Sequence, residues 1–318
     1  MKIISPNVSL IDLPTLAAIE FAGRTCYKSN STFSSESAVL FAKKMYEHDH
    51  TAMLEHGILY TIVEDAIAKI LEKNKYLNCT ESKNGLFFVS GSLRTFLAIY
   101  SKYKENPDRY SALDSLFIAL SRSFEDEFFT VDPEHETQKY EVQIFKCAVD
   151  FIDEVNKNEF DEMTTDDVLR KHVYHTLKFI CDRGVSHEIV RHRPASYAQE
   201  STRYCKYDLD KFGNEITVIK PLFFEEGSKR YEIWKEQCLS SERAYNELCE
   251  DGATAQEART VLNNSLKTEL VVTTTEDEWQ HMLNLRYHGT TGPAHPQAVE
   301  VFAMAQEILV AVSDGRVK

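Results

Sequence analysis

Apolar positions recur along this chain at helical spacing and in short continuous runs, a pattern that predicts helices interspersed with strands. Residues 12–27 carry apolar side chains three and four positions apart, and we expect a helix there with Asp12 as its N-cap. Ser34 or Ser35 begins a second predicted helix that runs through FAKKMYEH. The predicted strands, which are rich in β-branched and aromatic residues, lie at 57–63, 173–180 and 270–274.

Capping signals mark the helices predicted in the second half of the chain. Ser186 precedes an apolar segment and is expected to cap a short helix that stops at Pro194. The other predicted helices lie at 228–251, at 254–266 with a Thr254–Glu257 capping box, after Thr275 with Glu278 completing its box, and after Pro296.

The order of these elements favours an α+β architecture. The predicted strands are few and do not alternate regularly with helices, so a doubly wound parallel sheet is disfavoured. No internal repeat, low-complexity tract or Pro/Gly-rich linker is evident, and we expect residues 1–318 to form a single domain. Residues 64–170 are rich in charge and are predicted to be a mainly helical insertion on a smaller core.

Composition narrows the class of protein. The formal charge of −14 disfavours general binding to nucleic acid or to an anionic membrane surface, since both attract basic proteins. No segment has the roughly 20 apolar residues of a membrane span, and no apolar run of signal-peptide length opens the chain. The seven cysteines form no CxxC pair, which disfavours a zinc knuckle or a disulfide framework and favours a reducing, cytoplasmic setting.

The densest candidate chemistry lies at residues 191–203, RHRPASYAQESTR. Three arginines within this stretch of an acidic chain favour an anionic ligand, because guanidinium groups match phosphate and carboxylate oxygens. Ser201 adds a hydroxyl donor, and Gln199 adds an amide that can read a ring edge. Adjacent helical residues point in different directions, so residues 191–193 could serve two ligands. A basic turn that forms surface salt bridges is the alternative.

An arginine on an apolar helix face is a second candidate. Arg286 shares its face with Trp279, Met282 and Leu283, where an unpaired cation is costly. A ligand anion or a polarised carbonyl would explain it, and so would a buried Glu partner.

The remaining candidates are weaker. Residues 48–50 and 55–56 contain three histidines, but the HExxH order is absent and a polar loop is expected there, so we predict no metal site. Neither GxSxG, GxGxxG nor GxxxxGK[ST] occurs. Cys205 lies near Arg203 and could be activated, although a small core side chain is the plainer interpretation.

The arginine cluster resembles the signature of the flavin-dependent thymidylate synthases, Arg-His-Arg followed after seven residues by Ser. Arg191, His192, Arg193 and Ser201 match that spacing. Residues 48–56, HDHTAMLEH, resemble the family's N-terminal histidine loop. Residues 257–286, which end in Asn-Leu-Arg, resemble its C-terminal helix–strand–helix, whereas 64–170 are unmatched. The resemblance implies a mixed or antiparallel sheet with flanking helices.

The resemblance also implies an activity, the conversion of dUMP to dTMP in nucleotide biosynthesis. Methylenetetrahydrofolate would supply the carbon, and FAD would carry hydride from NADPH, with no cysteine attacking the uracil. Arg286 would hold the uracil and stabilise charge developing at its carbonyls. The dUMP contacts carried over by position are Glu188, Arg191, Gln199, Glu200, Ser201, Arg203, Arg259 and Arg286.

The flavin contacts and the assembly follow from the same resemblance. The FAD contacts carried over are His50, Arg191, His192, Arg193, Gln199 and His281. The motif often has Asn-Glu where this chain has Ala198-Gln199, so Gln199 cannot supply a carboxylate. A homotetramer with active sites shared between subunits is implied.

Two rivals remain open. One is an FAD or nucleotide enzyme of the same fold that acts on a different pyrimidine. The other is a nucleotide-binding regulatory protein without turnover.

Overall fold

The computed structural model describes residues 1–29, 33–131, 138–205, 207 and 215–318. The helices are α1 (Thr15–Tyr27), α2 (Ser35–Glu47), α3 (Asp65–Leu71), α4 (Leu93–Glu105), α5 (Asp114–Ser123), α6 (Ala148–Asn156), α7 (Thr165–His172), α8 (Arg183–Ile189), α9 (Lys229–Glu250), α10 (Ala255–Ala258), α11 (Glu276–Arg286) and α12 (Pro296–Val312). Short 3-10 helices lie at Thr51–His56, Pro107–Leu113 and Arg259–Val261.

The strands form two antiparallel sheets and one short parallel pair. They are β1 (Lys2–Ile4), β2 (Asn7–Leu10), β3 (Ile58–Glu64), β4 (Asn78–Glu81), β5 (Leu86–Ser92), β6 (Val142–Phe145), β7 (Tyr174–Asp182), β8 (Ser196–Gln199), β9 (Thr217–Ile219) and β10 (Lys267–Thr275). One sheet has the order β4-β5-β3-β6, the other β2-β7-β10-β8, and β1 pairs with β9. Antiparallel sheets flanked by helices confirm the predicted α+β class.

The predicted cap at Ser34 is confirmed, because its hydroxyl accepts from the amide of Ser37. The helix predicted at 228–251 corresponds to α9, and Ser228 caps it by accepting from the amide of Tyr231. Pro296 occupies the first turn of α12, where a missing N–H costs nothing. The strands predicted at 57–63, 173–180 and 270–274 correspond to β3, β7 and β10.

Two predicted N-caps are wrong. Helix α1 begins at Thr15 after Pro14, not at Asp12, because the Thr15 hydroxyl donates to the carbonyl oxygens of Ile58 and Lys146 and so fixes this end of the helix. Helix α8 is capped by Asp182 instead of Ser186. The Asp182 carboxylate accepts from the amide of Val185 at 2.8 Å, so the helix begins directly after β7.

Two other helix predictions need correction in detail. The helix predicted at 254–266 is confined to α10 and a 3-10 turn, although its capping box at Thr254 and Glu257 is present. Thr275 caps α11 and accepts from the amide of Glu278, but a capping box is not formed because the Glu278 carboxylate bonds elsewhere.

Residues 64–170 contain more than helices. They supply α3 to α6 and most of α7, but they also supply β4, β5 and β6. Strands β5 and β6 pair with β3 on either side, and β4 pairs with β5. Among the described residues, no helix combines the length and apolar character needed to cross a membrane.

The second sheet carries the helices that matter for the site. Helices α8, α11 and α12 pack through one apolar cluster against β7 and β10, with Ile189, Trp279, Leu283 and Phe302 fully or almost fully buried. This packing brings the C-terminal ends of α8 and α11 together, so the chain on either side of Arg191 faces the last turn of α11.

Candidate functional site

A cavity of about 580 Å³ lies where the segment after α8 meets α11. Its polar lining comes from the predicted arginine cluster and from α11: Arg191, His192, Arg193, Glu278, His281 and Arg286. Residues about 90 positions apart in sequence therefore share one wall, because Ile189 and Met282 are buried in the same apolar cluster.

Arg286 is held by Glu188. One guanidinium nitrogen donates to the Glu188 carboxylate at 2.9 Å, and another donates to the Glu188 carbonyl oxygen at 3.1 Å. The Glu partner considered for Arg286 is therefore present, but it is itself a predicted nucleotide-site residue. The two side chains are 26% and 30% exposed, so the pair can still meet a ligand. The pairing uses two of the five guanidinium donors.

His192 lies beside this pair in a partly buried position. Its Nε2 is 2.8 Å from a Glu278 carboxylate oxygen. Burial lowers the pKa of His192, and His281 and Arg286 lower it further against the opposing effect of Glu278. The ring is therefore uncharged near neutral pH, with Glu278 fixing its orientation.

The His192 ring also contacts a second ring. The centroids of His192 and His281 are 5.1 Å apart with an interplanar angle of 46°. The His192 side chain is only 8% exposed, whereas His281, Arg191 and Arg193 are exposed, so the cavity has one flat ring face edged by cations. Such a surface suits a planar, negatively charged ligand.

Strand β8 leads from this cavity to the second part of the cluster. The Gln199 amide donates to the hydroxyls of Ser186 at 2.9 Å and Thr268 at 3.1 Å. Glu200 is buried, and its carboxylate accepts from Lys267 at 2.7 Å and from Tyr207 at 3.1 Å. Both predicted dUMP contacts thus have protein partners here.

Glu200 belongs to a buried charge network that sequence reasoning missed. Burial would raise the pKa of Glu269, yet Lys267 and Lys28 outweigh it and lower that pKa to about 2. Lys178 also pairs with Glu269. The alternation of lysine and glutamate in Lys267-Thr268-Glu269 was the available signal, because both side chains then point to one face of the strand.

Beyond β8, Arg203 and Arg259 approach the same short segment. Arg259 donates to the hydroxyl of Thr202 at 3.5 Å, next to the exposed Arg203. Arg203 lies over the ring of Tyr204, 5.5 Å from its centroid. Ser201 is partly buried, and its hydroxyl accepts from the Arg203 amide at 3.4 Å.

His50 joins this second group through aromatic contacts. Its ring lies 6.5 Å from that of Tyr27, whose hydroxyl is 3.3 Å from His50 Nδ1. The Tyr27 ring lies 5.7 Å from that of Tyr204. The N-terminal histidine loop therefore meets the segment that follows β8.

The predicted site residues thus form two groups at opposite ends of β8. The first contains Arg191–Arg193, His281, Arg286 and Glu188, and the second contains His50, Ser201, Arg203 and Arg259. Four strand residues span roughly 10 Å at about 3.3 Å per residue. Glu278, which sequence reasoning missed, belongs to the first group.

The histidine loop shows no metal arrangement. Among the described residues, no group of three or more His, Cys, Asp or Glu side chains is placed to hold a metal ion. His56 is buried, and its Nδ1 is 2.8 Å from the Thr273 hydroxyl. Cys205 is buried too, which fits a core side chain.

Comparison with known proteins shows the family to which this sequence belongs. A model of the thymidylate synthase complementing protein family matches residues 118–314. The chain belongs to this family. The match includes both groups of site residues except His50, and it begins inside the segment 64–170 that is predicted to be an insertion.

Relatives of the chain carry a more specific name. It is 36% identical over 106 residues to the flavin-dependent thymidylate synthase of Thermococcus onnurineus, covering 33% of this chain and 42% of that protein. The Geobacter sulfurreducens enzyme of the same name is 36% identical, covering 33% of this chain and 43% of the relative. That of Pyrococcus abyssi is 29% identical, covering 44% and 63%. The chain therefore spans about half the length of these curated relatives.

Proposed function

We propose that this chain is a flavin-dependent thymidylate synthase that converts dUMP to dTMP. Methylenetetrahydrofolate would be the carbon donor and NADPH the reductant, and FAD would carry the hydride from NADPH. The observation that carries the proposal is Arg286, which Glu188 holds at the edge of a cavity lined by His192 and His281. The names of the relatives support the same activity.

Arg286 is the group proposed to act on the uracil. A fixed cation beside a ring carbonyl stabilises the negative charge that develops when the ring is alkylated at carbon 5. The Glu188 pair orients the guanidinium before substrate arrives, so little reorganisation is needed during the reaction.

The flavin is proposed to bind the surface beside Arg286. The exposed ring of His281 offers a face for an isoalloxazine, and Arg191 and Arg193 supply cations for its phosphates. His192 is uncharged near neutral pH and donates its Nε2–H to Glu278, so it does not repel the arginines and its Nδ1 can only accept a hydrogen bond. Gln199 and His50 complete the proposed FAD contacts.

The second group is proposed to bind the phosphate of dUMP. Arg203, Arg259 and Ser201 present donors near one segment, as phosphate binding requires. Glu200, which bonds to Lys267 and Tyr207, and Gln199, which bonds to Ser186 and Thr268, are proposed to position the segment after β8 against the nucleotide.

We propose a homotetramer in which active sites are shared between subunits, as the family resemblance implies. Within one chain, the group around Arg286 and the group around Arg203 lie at opposite ends of β8. A cytoplasmic location is proposed from the cysteines, which form no CxxC pair.

Release of tritium from 5-labelled dUMP tests the activity. Purified protein with FAD, NADPH and methylenetetrahydrofolate should release tritium and form dTMP, because carbon 5 exchanges hydrogen for the new methyl group. If tritium is released from another labelled pyrimidine nucleotide but not from dUMP, the proposed substrate is wrong, although the family assignment stands. Yellow protein without any tritium release would contradict the reaction.

A further inference from the structure

The two four-stranded sheets share one topology. In each, two central strands pair antiparallel, β3 with β5 and β7 with β10, and each of these four strands leads directly into a helix. The start of the first strand lies opposite the end of the second, Ile58 opposite Ser92 and Tyr174 opposite Thr275. The third strand in both sheets, β4 or β8, lies between these strands in sequence and pairs with the second of them.

The outer strands β4 and β8 keep the same register, and the opposite edge strands keep the same direction. Asn78 lies opposite Ser90, and Ser196 lies opposite Thr273, which in both cases is two residues before the end of the second strand. At the other edge, β6 and β2 both pair antiparallel with the first strand, β6 along its third to sixth residues and β2 along its fourth to seventh.

Hydrogen bonds at the helix starts match as well. Ser92 and Thr275 each end a strand, cap the following helix and accept from the amide three residues later, at 3.3 and 3.4 Å. The backbone amide of the first helical residue then donates to the carbonyl oxygen of the residue that precedes the first strand. These bonds are Leu93 to Gly57 at 2.7 Å and Glu276 to Val173 at 3.0 Å.

Two buried histidines repeat the pattern across the halves. His56 and His172 each lie two residues before the first strand of their own half. Nδ1 of His56 is 2.8 Å from the Thr273 hydroxyl, and Nδ1 of His172 is 3.0 Å from the Ser90 hydroxyl. Each histidine therefore bonds to the same position in the other half. The edge strands are exchanged likewise, because β2 precedes α1 yet pairs with β7, and β6 precedes α6 yet pairs with β3.

We propose that the chain contains two copies of one unit, residues 7–123 and 142–312, and that the first copy supplies one wall of the ligand site of the second. Agreement in strand order, direction, register, caps and crossed hydrogen bonds is the basis of the first part. Residues 64–123 are then the remainder of the first copy and not an insertion.

The first copy has lost the groups proposed to act on a substrate. Counting from the caps Ser92 and Thr275, the position of Arg286 is Tyr103, which is buried and donates to Asp114 at 2.7 Å. The position of His281 is occupied by Ala98. The first copy therefore has neither the cation nor the ring of the second.

One cation is kept. Counting back from Asn78 and Ser196, which have the same register, Lys75 occupies the position of Arg193. Both line a cavity of about 710 Å³ between the copies. Asn78 and Ser196 also face this cavity from matched positions, as do Ser92 and Thr275. We call this cavity the composite cleft.

The chemistry of the composite cleft suits phosphate. Lys75, Arg94 and Arg193 supply three cations. Two carboxylates also line it. Glu55 pairs with Arg94 and Glu278 bonds to the uncharged His192, so three cations and two anions leave a net charge of +1. Amides and hydroxyls from both copies add neutral hydrogen-bonding groups.

The composite cleft also adjoins the cavity beside Arg286. Arg193, Pro194 and Glu278 line both. A ligand with two ring systems joined by phosphates can therefore place one ring beside His192 and His281 and extend the rest into the composite cleft. Resting on the proposed function, the geometry points to the adenylate half of FAD as the occupant of this cleft.

Titration of the protein with FAD and with FMN tests the proposal. FMN lacks the adenylate half, so Lys75→Ala should weaken FAD binding by about tenfold or more and change FMN binding by less than about threefold. Lys75→Arg should restore FAD binding. Lys73→Ala is the matched control, because Lys73 is an exposed lysine two residues away that does not line the composite cleft, and it should bind FAD as the wild type does. One FAD per chain is expected.

The outcomes separate this proposal from the proposed function. Wild-type affinity for FAD in Lys75→Ala, or two FAD molecules per chain, would overturn the composite cleft and leave dTMP synthesis standing. Lys75-dependent FAD binding without dTMP formation would keep the composite cleft and contradict the proposed reaction. A wild-type protein that binds neither flavin would overturn both.

Discussion

At the scale of single residues, the site depends on a cation held before any ligand binds. Arg286 is the last residue of α11 and lies on the same face as Trp279 and Leu283, which are fully buried. Its guanidinium forms an ion pair with the Glu188 carboxylate. Such preorganisation is what makes a charged group effective toward developing charge.

Removing this cation should abolish most turnover. We expect Arg286→Ala to lower kcat by roughly a hundredfold to a thousandfold, the usual cost of losing one electrostatic stabiliser. Arg286→Lys should recover only part of the loss, since lysine keeps the charge without the planar fork. The measurement is steady-state dTMP formation, with Arg243→Ala as control because Arg243 forms an exposed pair with Glu236 on α9. Near-normal kcat in Arg286→Ala would remove Arg286 from the chemistry.

The residues themselves could be found from sequence, but their partners could not. The apolar face around Arg286 is visible as a helical repeat, and the arginine cluster is visible as local density. The Glu188 pair and the Glu278 bond to His192 join α8 and its following turn to α11, and no local pattern encodes contacts of that range. Glu278 was predicted only as a capping residue.

At the scale of elements, the chain places polar capping groups at the point where a strand becomes a helix. Asp182 ends β7 and caps α8, and it also accepts from the Gln297 amide of α12 at 2.9 Å. Sequence reasoning chose Ser186 because it expected a gap between strand and helix. Strands β4, β5 and β6 were missed for a related reason, since charged and helical neighbours masked their short apolar runs.

Helix α8 should depend on its carboxylate cap. Asp182→Ala should lower the free energy of unfolding by about 0.5–2 kcal/mol, the range for a lost N-cap, and the loss of the Gln297 bond should add to it. Asp182→Asn should cost less, because its side-chain oxygen still accepts from Val185. Chemical denaturation followed by circular dichroism measures both. Equal stability of Asp182→Ala and wild type would show that another group caps α8.

At the scale of the whole molecule, the proposed duplication was invisible to a search for repeats. Matched positions hold different side chains, such as Tyr103 and Arg286 or Lys75 and Arg193, so the likeness survives in backbone register instead of in residue identity. The α+β class could be predicted from element order alone. The exchange of edge strands between the halves could not, because the paired residues lie at least 79 positions apart in the chain.

His56 and His172, which each bond to a strand of the other half, make the contact between the halves sensitive to acid. Burial lowers the pKa of His56 to about 4, and burial with Lys171 lowers that of His172 to about 3, from 6.5. The unfolded chain therefore binds these protons first, and stability is lost as pH falls below 6.5. The loss should be about 2 kcal/mol per histidine by pH 5.

Guanidinium unfolding at pH 7.5 and pH 5 measures this loss. His172→Gln removes one titrating group while keeping an amide near Ser90, so it should remove about 2 kcal/mol of the pH-dependent loss, to which His192 also contributes because its pKa is lowered. The exposed His187→Gln should leave the loss unchanged. The carboxylates whose pKa values are lowered, such as Glu269, lose their contribution only below about pH 4.5, outside this window. A wild-type protein equally stable at both pH values would show that neither histidine stays neutral at this contact.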